Sequence, residues 1–369
     1  MSTDIATSTR PLNLHEYEEA ARALLPRMVF DYVASGSGDQ RTLHGNREAF
    51  DRWRLLPRML RGLREVSTAT SVLGQEIAFP VLVAPSGLHR LAHPDGELAT
   101  ARGARAAGTI YTMSTASTVP MEEVAREAGP WWFQLYVFRD REITRDLVQR
   151  AAAAGAAALV VTVDVPLLGR READERNGFT LPSGVMMVNL ARPEYQIFPP
   201  GETGSGLPRY ISAVWEPALA WEDLDWLASL TSLPVIPKGI LHPDDAILAF
   251  EHGARAVIVS NHGGRQLDSA VAALDALPAV ADAVGDRGEL YVDGGIRRGT
   301  DVLKALALGA RATLIGRPIS WGLTIGGEAG VQHILELLRA EIALDLMLCG
   351  QASPAAVTRD LIVPNGMVG

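Results

Sequence analysis

The chain has 369 residues, enough for one large barrel or two ordinary domains. A net charge of −9 argues against a nucleic-acid or anionic-membrane partner. The single cysteine, Cys349, excludes an internal disulfide and a cysteine metal cluster, so no metal site is expected and a reducing cytoplasm is the simplest home.

Met1-Ser2-Thr3-Asp4 shows no basic region followed by an apolar core, so no secretory leader is expected. The longest apolar stretch, Ala151 to Val163, is thirteen residues, too short to span a bilayer. Residues 12–60 read as helices, with Leu14, Tyr17 and Ala21 at helical spacing, so residues 1–60 form a lead-in segment. From there one alternation repeats. Short apolar strands end in polar or glycine-rich turns, and Ala-rich helical patterns follow them. The strands are Pro80–Pro85, Thr109–Met113, Trp131–Leu135, Ala158–Asp164, Val235–Lys238, Ala256–Val259, Glu289–Asp293 and Ala312–Gly316. Eight strand–helix units in series predict a parallel (β/α)8 barrel over 61–369, one domain with the lead-in, its active site at the strand C-terminal ends. Between strands four and five, residues 177–226 are rich in Gly, Pro and aromatics. They read as a long lid-like loop rather than a separate domain.

The strand ends carry the chemistry. Ser114, Gln134 and Thr162 close strands two to four with neutral hydrogen-bonding groups, and Lys238 closes strand five. A lysine ammonium inside a barrel mouth needs an anionic partner. This mostly uncharged ring with one cation suits a flat heteroaromatic group whose reduced form is an anion. Strand six ends in Ser260-Asn261-His262-Gly263-Gly264-Arg265, which brings an imidazole and a guanidinium to one spot. Histidine exchanges protons near neutral pH, and arginine grips a carboxylate or phosphate with two bonds. A base beside an anion clamp is what proton abstraction next to a carboxylate needs. Taken alone, His-x-x-Arg is more often a surface turn; the glycines and the preceding strand favour a site. Asp164 stands where it can orient His262, and Arg170-Arg171 can place a second arginine beside Arg265. Strands seven and eight end in Asp293-Gly294-Gly295-Ile296-Arg297 and Ile315-Gly316-Arg317. Barrels commonly hold a phosphate there, on backbone N–H groups and a short helix N-terminus.

Beyond these single features, the chain resembles the FMN-dependent α-hydroxy-acid oxidase and dehydrogenase family, whose members act on glycolate, lactate or mandelate. The resemblance runs from about Asn13 to Ile362. It rests on Phe30 to Gly36, Phe133 to Val137, Thr162 to Pro166, Gly169 to Asp174, Ser260 to Asp268 and Asp293 to Val302. It implies FMN as cofactor, with His262 as base and Asp164 behind it. Arg171 and Arg265 would hold the substrate carboxylate, Tyr32 would hydrogen-bond it, and Tyr136 would sit near the substrate hydroxyl. Lys238 would stabilise negative charge on the reduced flavin. The flavin ring would meet Pro85, Ser86, Gly87, Ser114, Gln134 and Thr162, with Ser260 and Asp293 also at the cofactor and Gly295 at its phosphate. Arg297, Gly316 and Arg317 would take the phosphate.

The implied reaction turns an (S)-2-hydroxy acid into the 2-keto acid, with oxygen reduced to hydrogen peroxide. A homotetramer is expected. Where glycolate oxidases carry a Trp after strand two, this chain has Ala116, and Gly87 replaces the Ala of many oxidases. Both point to room for an aryl substrate such as mandelate or 4-hydroxymandelate. A lactate or glycolate oxidase, or a dehydrogenase with another acceptor, is the alternative. Two further readings stay open. An inosinate-dehydrogenase-like barrel would need a catalytic Cys in a barrel loop, and Cys349 lies past the last strand. A silent scaffold barrel is disfavoured by the joint presence of the site residues.

Overall fold

A computed structural model describes residues 10–190, 192–198, 200–201 and 204–366, so the N-terminal stretch read for a leader lies outside the described residues. Three helices come first: α1 (Leu14–Leu24), α2 (Arg27–Ala34) and α3 (Arg41–Asp51). The Asn13 side chain starts α1 by accepting from the N–H groups of His15 and Glu16, two donors that a helix start leaves without partners. The helix then buries Leu14, Tyr17 and Ala21 along one stripe. Helix does not continue to residue 60 as expected. Trp53–Leu55 is a strand paired antiparallel with Ile362–Pro364, and residues 56–60 carry no regular structure. The pairing takes up the backbone of 53–55, and Pro57 drives Leu56 after it toward extended backbone.

Eight parallel strands close into a barrel in chain order. They are β1 (Val81–Val83), β2 (Tyr111–Ser114), β3 (Trp131–Leu135), β4 (Leu159–Thr162), β5 (Val235–Ile240), β6 (Ala256–Val259), β7 (Glu289–Asp293) and β8 (Ala312–Ile315). Leu82, Trp132, Val160, Ile236, Ile258, Tyr291 and Leu314 fill the interior, none more than 1% exposed. Val81, Val83, Phe133, Leu135, Val161 and Val257 belong to the outer core beneath the helices. Most of the strands are apolar on both faces, which is why they read as continuous runs rather than alternations. A hairpin of Thr70–Val72 and Gln75–Ile77 adds Val72 and Ile77 to the interior cluster and plugs the N-terminal mouth. The C-terminal mouth is left for a ligand.

The outer helices are α4 (Glu97–Ala107), α5 (Met121–Glu127), α6 (Arg141–Ala153), α7 (Glu172–Asn177), α8 (Leu207–Val214), α9 (Trp221–Leu230), α10 (Pro243–Glu251), α11 (Ala273–Val284), α12 (Gly299–Ala307) and α13 (Arg317–Leu348, broken at Gly326-Gly327). The 177–226 segment departs from the expected loop, since it contains α8 and the start of α9. Leu207, Tyr210, Ile211 and Val214 are buried at i, i+3, i+4 and i+7. Pro208 masks this helix in the sequence, yet proline is tolerated in a first turn. Among the described residues, no helix is long and apolar enough to cross a membrane.

Candidate active site

A cleft of about 1380 Å³, counting the solvent at its mouth, covers the C-terminal strand ends. Pro85, Ser86 and Gly87 line it after β1, Ser114 and Ala116 at the end of β2, Tyr136 after β3 and Thr162 at the end of β4. Arg171, Lys238, His262, Arg265, Asp293, Gly295, Arg297, Gly316 and Arg317 line the rest, and α2 contributes Tyr32. Asp164, Gln134 and Ser260 do not line the cleft; each sits behind a residue that does and is hydrogen-bonded to it.

His262 stands at the centre with φ +58°, a left-handed backbone that costs a non-glycine residue about 1–3 kcal/mol. Neighbouring bonds enforce it. Its N–H donates to Ser260 Oγ at 3.0 Å, and the Asn261 side chain accepts from the Gly264 N–H at 3.1 Å. Asn261 is in turn clasped by Asn46 through reciprocal amide bonds of 2.9 and 2.8 Å. The imidazole Nδ1 lies 2.9 Å from Asp164 Oδ1. A carboxylate there fixes the proton on Nδ1 and leaves the Nε2 lone pair for the cleft. Burial lowers the His262 pKa, and Asp164 only partly opposes it, so the ring is neutral near pH 7 and able to accept a proton. Burial works to raise the Asp164 carboxyl, but His262 and Lys238 outweigh it and hold it low. Gly239 makes the approach feasible: at φ +116°, its Cβ would stand 2.5 Å from Asp164 Cβ.

Lys238 is 4% exposed. Its Nζ lies 2.9 Å from Asp293 Oδ2 and donates to Ser260 Oγ at 2.9 Å. Burial works to lower its pKa, but Asp293 and Asp164 outweigh that and keep it a cation. The anionic partner that the sequence demanded is therefore Asp293.

The arginines gather on one side. Arg171 is 7% exposed, and burial together with Arg265 pushes its pKa down to about 10. Its nearest carboxylate, Asp174, is 4.0 Å away. The Arg265 guanidinium lies 5.2 Å over the Tyr32 ring, with Nη1 donating to the Tyr32 carbonyl at 2.7 Å. Two such forks with incomplete charge compensation suit a carboxylate ligand. Arg170 is no part of this, being exposed and paired with Glu175 at 3.3 Å. Burial, and then Asp164, raises the Tyr136 phenol, so its hydroxyl stays protonated.

The residues fit FMN. Ser114 Oγ donates to Gln134 Oε1 at 3.0 Å and Gln134 Nε2 to Thr162 Oγ1 at 3.0 Å, tying three strand ends into one polar rim. Gly294 and Gly295 have φ of +91° and +87°, and a side chain on Gly295 would collide with the Asn46 carbonyl. At Gly316 the nearest atom to an added Cβ is Ser86 Oγ at 3.4 Å, so a side chain there would take up cleft space instead. Burial and Arg47 push Arg297 down to about 10, and burial with Arg265 pushes Arg317 far below its usual range. Lowered guanidinium values mark positive charge in want of an anion, as a phosphate would supply. Arg317 is also structural. Its Nε, Nη1 and Nη2 donate to the carbonyls of Val33, Gly263 and Ser35 at 3.1, 2.9 and 3.0 Å, capping the end of α2 that carries Tyr32.

Sequence reasoning missed two parts of the site. Met187, Phe198, Leu207, Tyr210, Ile211 and Trp215 form an apolar wall. The helical spacing of 207–214 was its only local signal. Glu97, wholly buried, accepts from the N–H groups of His89 and Thr118 at 3.2 and 2.9 Å and from the Thr118 hydroxyl at 2.6 Å. It thereby ties the loop carrying Gly87 to the loop carrying Ala116. These loops touch, since a Cβ on Gly87 would stand 2.9 Å from Ala116 Cβ. The room expected beside Gly87 is thus filled by Ala116 itself.

The family model for FMN-dependent dehydrogenases matches residues 21–364. An L-lactate oxidase from Nostoc sp. is 51% identical over 345 residues, 92% of this chain and 94% of its own. Human 2-hydroxyacid oxidase 1 is 46% identical over 361 residues, 96% of this chain and 97% of its own. A mandelate oxidase structure with (S)-4-hydroxymandelic acid aligns with a TM-score of 0.92 at 45% identity, covering 95% of this chain and 98% of that one. With that cleft on that barrel, the chain belongs to the FMN-dependent 2-hydroxy-acid oxidase family, an oxidoreductase acting on a CH–OH group with FMN as its cofactor.

Proposed function

We propose that the protein oxidises an aryl (S)-2-hydroxy acid, mandelate or 4-hydroxymandelate, to the 2-keto acid. Two electrons and two protons pass overall from the acid to oxygen, which leaves as hydrogen peroxide. FMN, when bound, supplies the two-electron sink. Arg171 and Arg265 clamp the carboxylate, with Tyr32 adding a hydrogen bond. Tyr136 orients the hydroxyl carbon's oxygen. His262 Nε2 receives a proton from the CH–OH group, and Asp164 balances the imidazolium charge that results. Lys238, kept cationic by Asp293, provides positive charge beside the cofactor ring. Ser86, Ser114 and Thr162 would hold that ring, with Gln134 bonded behind Ser114 and Thr162, while Gly295, Arg297, Gly316 and Arg317 would hold the phosphate.

The observation that carries the substrate is the wall of Met187, Phe198, Leu207, Tyr210, Ile211 and Trp215 together with Ala116. A phenyl ring in place of a methyl group buries on the order of 100 Å² more apolar area, roughly 2–3 kcal/mol at about 25 cal/mol per Å². The mandelate oxidase structure solved with (S)-4-hydroxymandelic acid supports the same reading. The 51% identity to an L-lactate oxidase favours the second reading, a small aliphatic acid. Specificity constants for mandelate, lactate and glycolate, scored by peroxide release, decide between them. Mandelate is expected to lead, and Ala116→Trp to abolish that lead; a parent enzyme that prefers glycolate or lactate overturns the aryl assignment.

A further inference from the structure

Two of the tyrosines lining the cleft, Tyr32 and Tyr136, each carry a flat ring from the 177–226 segment. Phe179, fully buried, is stacked on Tyr32 with centroids 4.1 Å apart and planes 2° from parallel. Trp215 is stacked on Tyr136 at 3.8 Å and 16°. The Arg265 guanidinium also lies over the Tyr32 ring, at 5.2 Å, so that ring is confined from two directions.

Each stacking residue is itself fixed by backbone. The Phe179 N–H donates to the Asp174 carbonyl at 2.9 Å, and the Phe179 carbonyl accepts from Ser205 Oγ at 2.8 Å. Trp215 lies between two cross-links to the loop after β3. Arg139 N–H donates to the Val214 carbonyl at 3.0 Å, and Glu216 N–H to the Val137 carbonyl at 2.9 Å. Trp215 and Tyr136 therefore sit on two segments clipped to each other. A phenol's hydroxyl lies on its ring axis, so whatever stops the ring from swinging also sets where the hydroxyl stands. Such positioning matters because a misplacement of about 1 Å costs about 10²-fold in rate.

We propose that Phe179 and Trp215 are positioning residues that present the Tyr32 and Tyr136 hydroxyls to the substrate, so that the segment over the cleft acts on the reaction through these two rings. This rests on the reading of Tyr32 and Tyr136 as substrate-contacting groups.

Double-mutant cycles on the FMN-loaded enzyme test it, with kcat and KM measured for the preferred 2-hydroxy acid. Phe179→Leu and Trp215→Leu are each expected to lower kcat/KM about 10-fold with FMN retained, the scale of a lost aromatic pair. The split between kcat and KM should follow that of the matching tyrosine variant. The Phe179→Leu loss is expected to vanish in Tyr32→Phe, and the Trp215→Leu loss to shrink in Tyr136→Phe to what Trp215 contributes as part of the substrate wall. The crossed pairs should add. Phe179→Tyr and Trp215→Phe, which keep a ring, should restore most of the rate. If the leucine variants lose FMN, Phe179→Met and Trp215→Met carry the same cycle with the ring replaced by a thioether. Additive matched pairs alongside impaired single tyrosine variants would overturn the positioning role alone. Tyr32→Phe and Tyr136→Phe at full activity would remove the tyrosine reading and the proposal with it.

Discussion

The polar and apolar sides of the cleft are built by different means. His262, Lys238 and Asp293 stand at strand ends, linked by bonds of 2.9 Å to Asp164 or to each other, above a fully packed barrel interior. The apolar wall comes from the segment between β4 and β5, held over the mouth by ring stacks such as Trp215 on Tyr136 at 3.8 Å and by a few backbone bonds. Proton transfer and charge balance need atoms held to within about 0.5 Å, which a rigid barrel supplies. Accommodating a side chain needs only shape, which an insertion can change without disturbing the strands. In the proposed mechanism the reaction type rests on the barrel, while the substrate side chain is met both by Ala116 after β2 and by the segment over the mouth.

Mutations on the polar side should break the reaction for every substrate alike. His262→Ala is expected to slow anaerobic bleaching of the flavin absorbance by about 10²–10⁴-fold with FMN still bound, the usual worth of a general base. Near-normal bleaching would show that another group takes the proton. Arg265→Lys should cost about 2–5 kcal/mol in kcat/KM, because an ammonium cannot replace a desolvated planar fork. The same clamp predicts that the methyl ester of a good substrate reacts poorly in the parent enzyme; equal rates for acid and ester would remove the carboxylate contact.

Gly87→Ala probes the seam where the two sides meet. Its new Cβ would stand 2.9 Å from Ala116 Cβ, so about 1–3 kcal/mol of stability should be lost in thermal unfolding. Ala116→Gly should recover it, and a loss that persists in the double variant would locate the strain elsewhere. The smallest effect concerns pH. Neutral imidazole would be the working form of the proposed base, and burial lowers the His262 pKa from 6.5. The working form therefore persists to lower pH, and kcat/KM should fall only below about 6.5. An acid limb above that value would contradict the buried neutral ring.

Much of the barrel was legible in the chain. β3, β6 and β7 span the residues that the sequence suggests, because a strand buried on both faces is mostly apolar. Residues at strand ends were legible for the same reason, as strand position decides which side chains reach the C-terminal mouth. The helix over 207–214 was not, since its first-turn Pro208 and the glycines before it look like loop.

Local sequence determined the strand–helix alternation and the chemical character of the strand ends, since both follow from the burial and hydrogen bonding that each short run can satisfy. Only the tertiary structure decided that Asp293 pairs with Lys238, that Arg170 turns away while Arg171 turns in, and that Ala116 occupies the space beside Gly87. Those outcomes depend on distances between residues far apart in the chain, which packing sets and no local pattern encodes.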